Sequence, residues 1–583
     1  MRKHLVDIEE GESFDIVVVG AGGAGMSAAL FGAIEGAKVL LVERSEYVGG
    51  TTAFSAGTTW VPNSHHAASV GVHDDSLEKA SGYLDLAVGA RSNPALRRAF
   101  LANGPRAVAK IEAGSAVRYR ARPFHPDYIS DLAGSTLKGR ALEPLAFDGR
   151  KLGERFRLVR PPIPEFTVLG GMMVDRDDVG HLLNLSRSLA SFKHSARLLL
   201  RQAMDRLKHP RGTRLVMGNA LVASLLYSLD EKGVPVLTDC QMDRIVKGAD
   251  GVEAIELSQR GVKRRVQVRG GVILATGGFN RHPERRKALL PGIDARWCPG
   301  APGHTGQAHD VVQEAGGRYG EPGLSHAFWA PVSIRQRADG SQAVFPHFIL
   351  DRGKPGMLTV NQQGRRFLNE STSYHLFGIG LQDAGVAPGY LITDAEGLRK
   401  YGLGMVRPGG KGLQPFLDDG YLTQGASLAE LARQLDIDAQ GLQDSVKRMN
   451  EYAVTGVDLD YQRGTTDYQR ANGDASNAPN PNLGRIGTAP FYAVRLYPGD
   501  IGAATGFATD AQACVLDSHD QAIGGLYAVG NDMHSVMGGT YPGPGITLGP
   551  GLTFALLAAE HAAVRAKGQA SQQRRATEPA AAP

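Results

Sequence analysis

Cysteine is scarce in this sequence and long apolar runs are missing, and both absences exclude classes of protein. The three cysteines, Cys240, Cys298 and Cys514, lie far apart and form no Cys-x-x-Cys or Cys-x-x-Cys-His motif. This spacing argues against a disulfide framework, a zinc site and an attached c-type haem. No run of about 18 apolar residues occurs, and the N-terminus lacks the apolar core of a signal peptide. We therefore expect a cytoplasmic protein.

A strong excess of charge is also missing. The net charge of +5 is small for 583 residues, and a nucleic-acid-binding surface is normally more basic, so we expect no nucleic-acid partner. His65 and His66 are adjacent in a loop and lack acidic or cysteine neighbours at a metal-site spacing, so we expect no metal ion. His534 lies in a glycine-rich loop without an assigned role.

Glycine, in contrast, is abundant, with 75 residues in short clusters between apolar segments. Residues 14–44 are predicted to form a strand, a glycine-rich turn, a helix and a second strand. Residues 216–279 and 522–566 repeat this alternation. Alternating strands and helices predict an α/β fold with a parallel, doubly wound sheet.

The alternating segments lie at both ends of the chain, which predicts a discontinuous domain. We expect a Rossmann-like nucleotide-binding domain at residues 12–285 and 490–566, with an inserted α+β catalytic domain at 286–489. Residues 567–583 lack periodicity and are predicted to form a disordered tail.

The strongest local signal is a Gly-x-Gly-x-x-Gly motif at Gly20, Gly22 and Gly25, directly after the strand Asp-Ile-Val-Val-Val. The first glycine permits the turn, the second lets the backbone approach a pyrophosphate, and the third packs the helix on the strand. Glu43 ends the next strand, about 20 residues on, where an acid can bind the adenosine ribose. Ala24 and Arg44 complete the predicted dinucleotide site.

Further along the chain, residues 49–57, 275–278 and 525–531 resemble the FAD-contacting segments of the succinate dehydrogenase/fumarate reductase flavoprotein superfamily. The resemblance implies FAD contacts at Gly50, Thr51, Thr52, Ser55, Gly57, Ala275, Thr276, Gly277, Gly530, Asn531, Thr547 and Leu548. Some members attach FAD through a histidine after the first of these segments. Residues 49–64 contain none, so we expect non-covalent FAD. A second Gly-x-Gly-x-x-Gly after a strand is missing, so a quinone or another electron carrier is the expected acceptor rather than NAD(P)H.

Positive charge is absent from residues 531–560, the loop and helix that would adjoin the flavin. A dicarboxylate substrate such as fumarate would need arginine there. Residues 540–545, Thr-Tyr-Pro-Gly-Pro-Gly, instead resemble a loop of the 3-ketosteroid Δ1-dehydrogenases. That resemblance implies that the Tyr541 hydroxyl and the Gly545 N–H bind the steroid 3-keto oxygen as an oxyanion hole.

A second segment with this resemblance is Arg-Phe-Leu-Asn-Glu-Ser-Thr-Ser-Tyr-His-Leu-Phe, which contains Tyr374. The resemblance implies that Tyr374 is the base that removes the carbon 2 proton, although Ser373 replaces a frequent proline. A second tyrosine assists the base in that family, and we assign this role to Tyr128. Ile129 stands where the family commonly has a further tyrosine, and Tyr119 is the alternative helper.

The implied reaction converts a 3-keto-4-ene steroid to a 1,4-dien-3-one, with the hydride of carbon 1 passing to flavin. Three alternatives stay open. They are a 3-ketosteroid Δ4-(5α)-dehydrogenase, a fumarate-reductase-like enzyme acting on a non-steroid substrate, and an electron-transfer subunit that needs a partner.

One segment, residues 180–214, is not explained by these motifs. Its apolar residues recur at spacings of three and four, as on one face of a helix, and basic residues occupy the other faces. The apolar positions are Leu182, Leu185, Leu189, Phe192, Ala196, Leu199, Ala203 and Leu207. Such a helix can lie peripherally on an anionic membrane, or it can pack on its own domain as an ordinary surface helix.

Overall fold

The computed structural model of the chain describes residues 4–348 and 351–577. Its strands are β1 (Ser13–Val19), β2 (Val39–Val42), β3 (Thr59–Trp60), β4 (Tyr119–Ala121), β5 (Ala141–Pro144), β6 (Phe147–Asp148), β7 (Thr167–Val168), β8 (Met172–Met173), β9 (Arg214–Leu215), β10 (Val236–Leu237), β11 (Gln241–Gly248), β12 (Gly251–Gln259), β13 (Val262–Leu274), β14 (Ala327–Gln336), β15 (Gln342–Pro346), β16 (Leu358–Val360), β17 (Gly389–Asp394), β18 (Thr423–Gly425), β19 (Phe491–Ala503), β20 (Cys514–Leu516) and β21 (Ala522–Ala528).

The helices are α1 (Gly23–Ile34), α2 (Leu77–Val88), α3 (Pro94–Gly114), α4 (Arg176–Leu183), α5 (Leu189–Arg206), α6 (Met217–Glu231), α7 (Pro283–Leu289), α8 (Gln307–Glu314), α9 (Tyr374–Asp383), α10 (Ala395–Tyr401), α11 (Gln414–Asp418), α12 (Leu428–Leu435), α13 (Ala439–Thr455), α14 (Asp467–Asn472) and α15 (Leu548–Thr577).

The larger sheet has eight strands and forms the centre of the nucleotide-binding part. Its path runs β10-β2-β1-β13-β12-β11, with β21 beside β13 and β20 beside β21. Strands β10, β2, β1, β13 and β21 are parallel. Their carboxyl ends therefore meet at one edge, where open α/β sheets bind ligands. The predicted Rossmann-like fold is confirmed.

The second sheet belongs to the inserted α+β unit and consists of six strands. Its path is β15-β14-β19-β17-β16, with β18 also paired to β19. The pairs are antiparallel. Helices α12 and α13 bury their apolar faces on one side of this sheet, with Leu431 and Val446 in that core.

The second predicted boundary of the inserted unit, at residue 489, does not match the strand pairing. Strand β19 (Phe491–Ala503) is the central strand of the second sheet, so the chain returns to the nucleotide-binding part after Ala503 rather than at residue 490. The second sheet begins at β14 (Ala327–Gln336), whereas α8 packs on β11 of the first sheet. Local sequence pattern predicts a strand but does not show which sheet it joins.

The end of the chain also differs from the prediction. Helix α15 continues to Thr577, so the tail predicted at residues 567–583 is helical as far as residue 577. Alanine, glutamine and arginine favour helix, and they extend a helix that its buried first half has already nucleated. Residues 578–583 lie outside the described residues.

The basic segment at residues 180–214 forms two helices, α4 and α5, rather than one. Helix α4 begins with a capping box between Asp175 and Asp178, and Asn184 is its C-cap residue. The residues between the helices, Asn-Leu-Ser-Arg-Ser, include three that favour caps and turns over helix interiors. In the described part of the chain, no helix is both long and apolar enough to cross a membrane.

Candidate active site

The glycines of the first motif lie where β1 ends and α1 begins, and close backbone packing requires two of them. A Cβ atom on Gly20 would lie 2.3 Å from the Ala275 carbonyl oxygen, and one on Gly25 would lie 1.9 Å from the Gly20 carbonyl oxygen. A Cβ on Gly22 would meet nothing within 4 Å. This open, side-chain-free edge fits a pyrophosphate.

The acid and hydroxyl residues predicted for this site surround the same edge. Glu43 accepts the Ala21 N–H at 2.9 Å, and Thr52 Oγ1 accepts the Gly23 N–H at 3.1 Å. Thr51 Oγ1 accepts the Ala301 N–H at 2.9 Å. Ser55 donates to the carbonyl of Thr52 at 2.9 Å. These side chains hold the loops on both sides of the motif. They therefore shape the edge that fits a pyrophosphate and also line it.

The later FAD segments meet this edge from the neighbouring strands. Gly530 follows β21 and packs on Ala24. Leu548, the first residue of α15, packs on Gly23. A cavity beside them is lined by residues that include Asn531 and Thr547. The structure therefore brings the predicted FAD residues together at one edge of the sheet.

Asp532 ties two of these segments together. Its carboxylate accepts hydrogen bonds from the Thr276 N–H and hydroxyl and from the Gly278 N–H at 2.7 Å. His309 Nε2 lies 2.8 Å from the same group. Burial favours the neutral acid, but His309 and the Thr276 donors outweigh it and lower the pKa of Asp532. This buried carboxylate was missed because nothing in its local sequence marks it.

A second missed element is the loop that precedes α8. Arg44 donates hydrogen bonds to Thr305 of this loop and to Gln307, the first residue of α8. His304 is buried against Gly277, and among the described residues its Nδ1 finds no hydrogen-bond partner. Glycines at every third position, 300, 303 and 306, were the available signal for a close backbone approach.

The predicted catalytic tyrosines form one cluster. The hydroxyls of Tyr128 and Tyr374 lie 3.2 Å apart. The Tyr541 ring stacks on Tyr128 at 5.7 Å between centroids and meets Tyr374 at 5.1 Å. Tyr374 is the first residue of α9, whose N-cap Ser373 accepts the Leu376 N–H. Tyr119, the alternative helper, interacts with Thr59 instead.

Burial determines the ionisation state of this cluster. Burial is the largest cause of the shift that raises the pKa of Tyr374 well above 10. The neighbouring phenols Tyr128 and Tyr541 raise this pKa further. Burial likewise raises the pKa of Tyr128, while the hydrogen bond with Tyr374 and the charge of Arg352 act in the opposite direction. The resting cluster therefore holds neutral phenols.

Contacts from outside the cluster fix the loop that carries Tyr541. The Tyr83 hydroxyl and the Tyr128 N–H both donate to the Pro542 carbonyl, at 2.5 and 2.8 Å. Trp60 donates its indole N–H to Asp127 at 2.7 Å, and Asp127 also pairs with buried Arg140 at 2.8 Å. The residue next to Tyr128 is thereby anchored in a buried ion pair.

Gly545 lies at the end of this loop, where only glycine fits. Its φ is +93°, and a Cβ atom there would lie 2.2 Å from the Thr58 carbonyl oxygen. Its own carbonyl accepts the N–H groups of Trp60 and Gly549. Within the described ranges its N–H has no acceptor, so it can donate to a ligand.

Two further residues of the cluster were missed by sequence reasoning. The Tyr468 ring lies 4.8 Å from that of Tyr128. Arg352 is fully buried, and the structure records its contacts as donations to backbone carbonyls of His347, Phe348, Glu370 and Thr372. Arg352 thus places a positive charge beside the phenols, and the carboxylates of Asp351 and Glu370 also act on this charge. Neither Tyr468 nor Arg352 stands in a motif that could have indicated it.

A family model described as "FAD binding domain" matches residues 15–548. The chain belongs to this FAD-binding family. FAD is therefore its cofactor, in agreement with the glycine-lined edge and with the orphaned Nδ1 of His304 beside it. When bound, FAD would be held by the residues around Gly22, Thr51 and Asn531.

Relatives within this family refine the comparison. The chain is 35% identical over 578 residues to a 3-oxosteroid 1-dehydrogenase of Mycobacterium tuberculosis, covering 95% of this chain and 99% of the relative. It is also 35% identical over 559 residues to a 4-oxocyclohex-2-ene-1-carboxylate 5-dehydrogenase of Sinomonas cyclohexanicum, covering 95% and 94%. The chain is an FAD-dependent dehydrogenase of this family.

A solved structure agrees with this assignment. The 3-ketosteroid Δ1-dehydrogenase of Sterolibacterium denitrificans, in complex with 1,4-androstadiene-3,17-dione, superposes with a TM-score of 0.88 at 32% identity. The match covers 95% of this chain and 100% of the other. The resemblance stated from the sequence motifs is confirmed.

Proposed function

We propose that this flavoprotein removes hydrogen across carbons 1 and 2 of 3-ketosteroids and produces 1,4-dien-3-ones. The observation that carries the proposal is the tyrosine cluster. A Tyr128–Tyr374 hydroxyl pair at 3.2 Å lies beside Tyr541, and the Gly545 N–H is available at the end of the same loop.

Each of these groups has a chemical task in the proposal. Tyr541 and Gly545 donate hydrogen bonds to the 3-keto oxygen and stabilise the negative charge that develops there. This charge stabilisation makes the proton on carbon 2 more acidic. Tyr374 removes that proton, and Tyr128 shares it through the hydroxyl pair. The positive charge of Arg352 favours the transient phenolate.

FAD, when bound, supplies the acceptor for the hydride that leaves carbon 1. The protein's own task is to hold the ring ketone, exclude water and manage the proton. For reoxidation we propose a quinone or another electron carrier, since the chain shows one dinucleotide motif and no second site of that type in its sequence.

A second candidate substrate class is the small oxocyclohexane carboxylates, because a relative with that activity is equally similar. A carboxylate needs a cation near the ring. Residues 531–560 contain no lysine or arginine, and buried Arg352 already donates to backbone carbonyls. The scarcity of available positive charge at the site therefore favours a neutral ketone over a carboxylate as the substrate.

Turnover of purified holoenzyme with an artificial electron acceptor separates these candidates. We expect androst-4-ene-3,17-dione to be converted to its 1,4-diene, with 4-oxocyclohex-2-ene-1-carboxylate unreactive. With a 5α-3-ketosteroid, the first double bond is expected between carbons 1 and 2, whereas a product with a 4,5 double bond would favour the Δ4-(5α) alternative. Turnover without an added protein also excludes a dependent electron-transfer subunit.

We further propose that helix α5 holds the enzyme on an anionic membrane surface. Several polar residues of this helix face the protein and most of its apolar residues face solvent, which is the reverse of an ordinary surface helix. Its buried face carries mostly polar residues, namely Ser191, Ser195, Leu198, Gln202 and Asp205. Its solvent face carries Leu189, Phe192, Leu200 and Met204, each more than half exposed.

Specific contacts hold α5 in this orientation. Asp205 accepts hydrogen bonds from the N–H and the hydroxyl of Thr213, both at 2.7 Å, and Gln202 donates to the Leu169 carbonyl at 3.2 Å. Exposed Lys193 and Arg197 flank the apolar residues. Apolar side chains facing outward among cations are typical of an interfacial helix, and poorly water-soluble steroids partition into the same lipid phase.

A further inference from the structure

Three potential metal ligands converge on the surface away from the tyrosine cluster. His65 and His66 lie in the loop between β3 and α2, and Glu112 lies in the last turn of α3. The Nε2 atoms of His65 and His66 lie 3.1 and 3.0 Å from the same Glu112 oxygen. The ligand atoms of all three residues lie within 4.8 Å of one another.

This spacing is close to that of a metal-ligand set. Tetrahedral zinc with bonds of about 2.0–2.2 Å separates its ligand atoms by about 3.3 Å. Only small side-chain adjustments would therefore place an ion among the three groups. Two imidazoles and one carboxylate are a donor set that suits zinc and the neighbouring divalent transition metals.

The surroundings favour ligation in two ways. Glu112 accepts the Tyr119 N–H at 2.8 Å, which fixes the carboxylate. The His65 side chain is 53% exposed, so an ion can enter and a water molecule can complete the coordination.

We propose that His65, His66 and Glu112 bind a divalent transition-metal ion of the zinc class. The ion clamps the loop after β3 to the end of α3. Because that loop leads away from Trp60, whose N–H donates to the Gly545 carbonyl, the clamp stabilises the segment that supports the substrate loop. Sequence spacing did not reveal the site because Glu112 is 46 residues from His66.

The chain offers a matched control for an ordinary histidine–carboxylate pair. His194 Nε2 lies 2.8 Å from Asp178, and its ring lies 4.3 Å from that of His181. In this second cluster His181 directs its Nδ1 to Ser191 instead of to the carboxylate, so the three ligands do not converge.

The test uses tag-free, FAD-loaded, chelator-treated protein. Calorimetric titration with zinc chloride is expected to show one saturable site, and zinc is expected to raise Tm. Glu112→Gln and His65→Asn should each weaken zinc binding at least about tenfold, whereas His194→Asn should leave it unchanged. Flavin absorbance and steroid turnover, measured without zinc, confirm that the variants are folded.

Two results would overturn the proposal. One is the absence of saturable zinc binding at micromolar concentrations in the wild-type protein. The other is binding that Glu112→Gln and His65→Asn leave unchanged, or that His194→Asn weakens equally. Because neither varied residue belongs to the proposed catalytic cluster, failure of the metal site is distinguishable from failure of the proposed steroid activity.

Discussion

Tyr374 stands at the point where the inserted unit meets the loop that carries Gly545. Its hydroxyl lies 3.2 Å from that of Tyr128, so a proton can pass between the two phenols without movement of either ring. The resemblance of their segments to the 3-ketosteroid Δ1-dehydrogenases indicated both residues. It could not indicate Arg352 or Tyr468, because their closeness to the cluster arises only when separate parts of the inserted unit fold together.

Replacing the proposed base tests its role at the scale of one atom. Tyr374→Phe should lower kcat on a 3-ketosteroid at least about 100-fold, since general-base catalysis contributes about 10²–10⁴-fold. FAD content and steroid affinity should stay close to wild type. Tyr119→Phe is the matched control, because this buried tyrosine contacts Thr59 outside the cluster. Equal loss of turnover in both variants would contradict the assignment.

The pH dependence of kcat/KM follows from the direction of the tyrosine shifts. Proton removal needs the phenolate form, and burial raises the pKa of Tyr374 well above 10. The phenolate fraction is therefore small at neutral pH and grows about tenfold per pH unit. We expect log kcat/KM to rise through neutral pH with a slope of about one. A profile that is flat from neutral to alkaline pH would show that another group is the base.

At the scale of elements, helix α5 differs most from what its sequence pattern predicts for a soluble domain. The apolar face was visible in the sequence, but its direction was not, since either face of an amphipathic helix can point outward. The contacts of Gln202 and Asp205 decide the orientation. The same limit applies to β19, because Phe491–Ala503 was assigned to the nucleotide-binding part and pairs in the second sheet instead.

Flotation with anionic vesicles tests the function of α5. Combined Leu189→Ser, Phe192→Ser and Leu200→Ser substitutions should lower the vesicle-bound fraction at least about tenfold, because each buried apolar side chain contributes about 1.5–3 kcal/mol. Leu459→Ser is the control, since Leu459 is 78% exposed and lies outside α5, in the segment after α13. Vesicle binding that survives the triple substitution would exclude α5 as the membrane contact.

At the scale of the whole molecule, the parallel sheet and the FAD edge were predictable because glycine motifs mark strand ends locally. The inserted unit was predictable in existence but not in extent, since long-range pairing determines its limits. The metal-ligand cluster and the Asp532 network were not predictable, because each joins segments far apart in the sequence.

Several buried histidines make the whole fold sensitive to acid. Burial lowers the pKa of His304, His375 and His534 to about 4 and that of His125 to about 3. A histidine that is held neutral in the folded state stabilises the fold fully above its unfolded pKa, about 6.5. This stability is lost as pH falls from about 6.5 toward the folded values.

We therefore expect Tm to fall steeply between pH 6.5 and 4. His125→Gln, which removes one such group, should make the fall shallower. The measurement is a thermal melt series across this range for both proteins. Equal slopes for the two would show that carboxylate protonation, rather than the buried histidine, controls acid lability.

Anaerobic mixing of the FAD-loaded enzyme with androst-4-ene-3,17-dione tests the proposed steroid dehydrogenation most directly. Flavin absorbance should bleach rapidly, with one equivalent of the 1,4-diene formed per FAD, and bleaching should slow strongly in Tyr374→Phe. Oxidised flavin that persists in the wild-type enzyme with this steroid and with cholest-4-en-3-one would contradict 3-ketosteroid dehydrogenation.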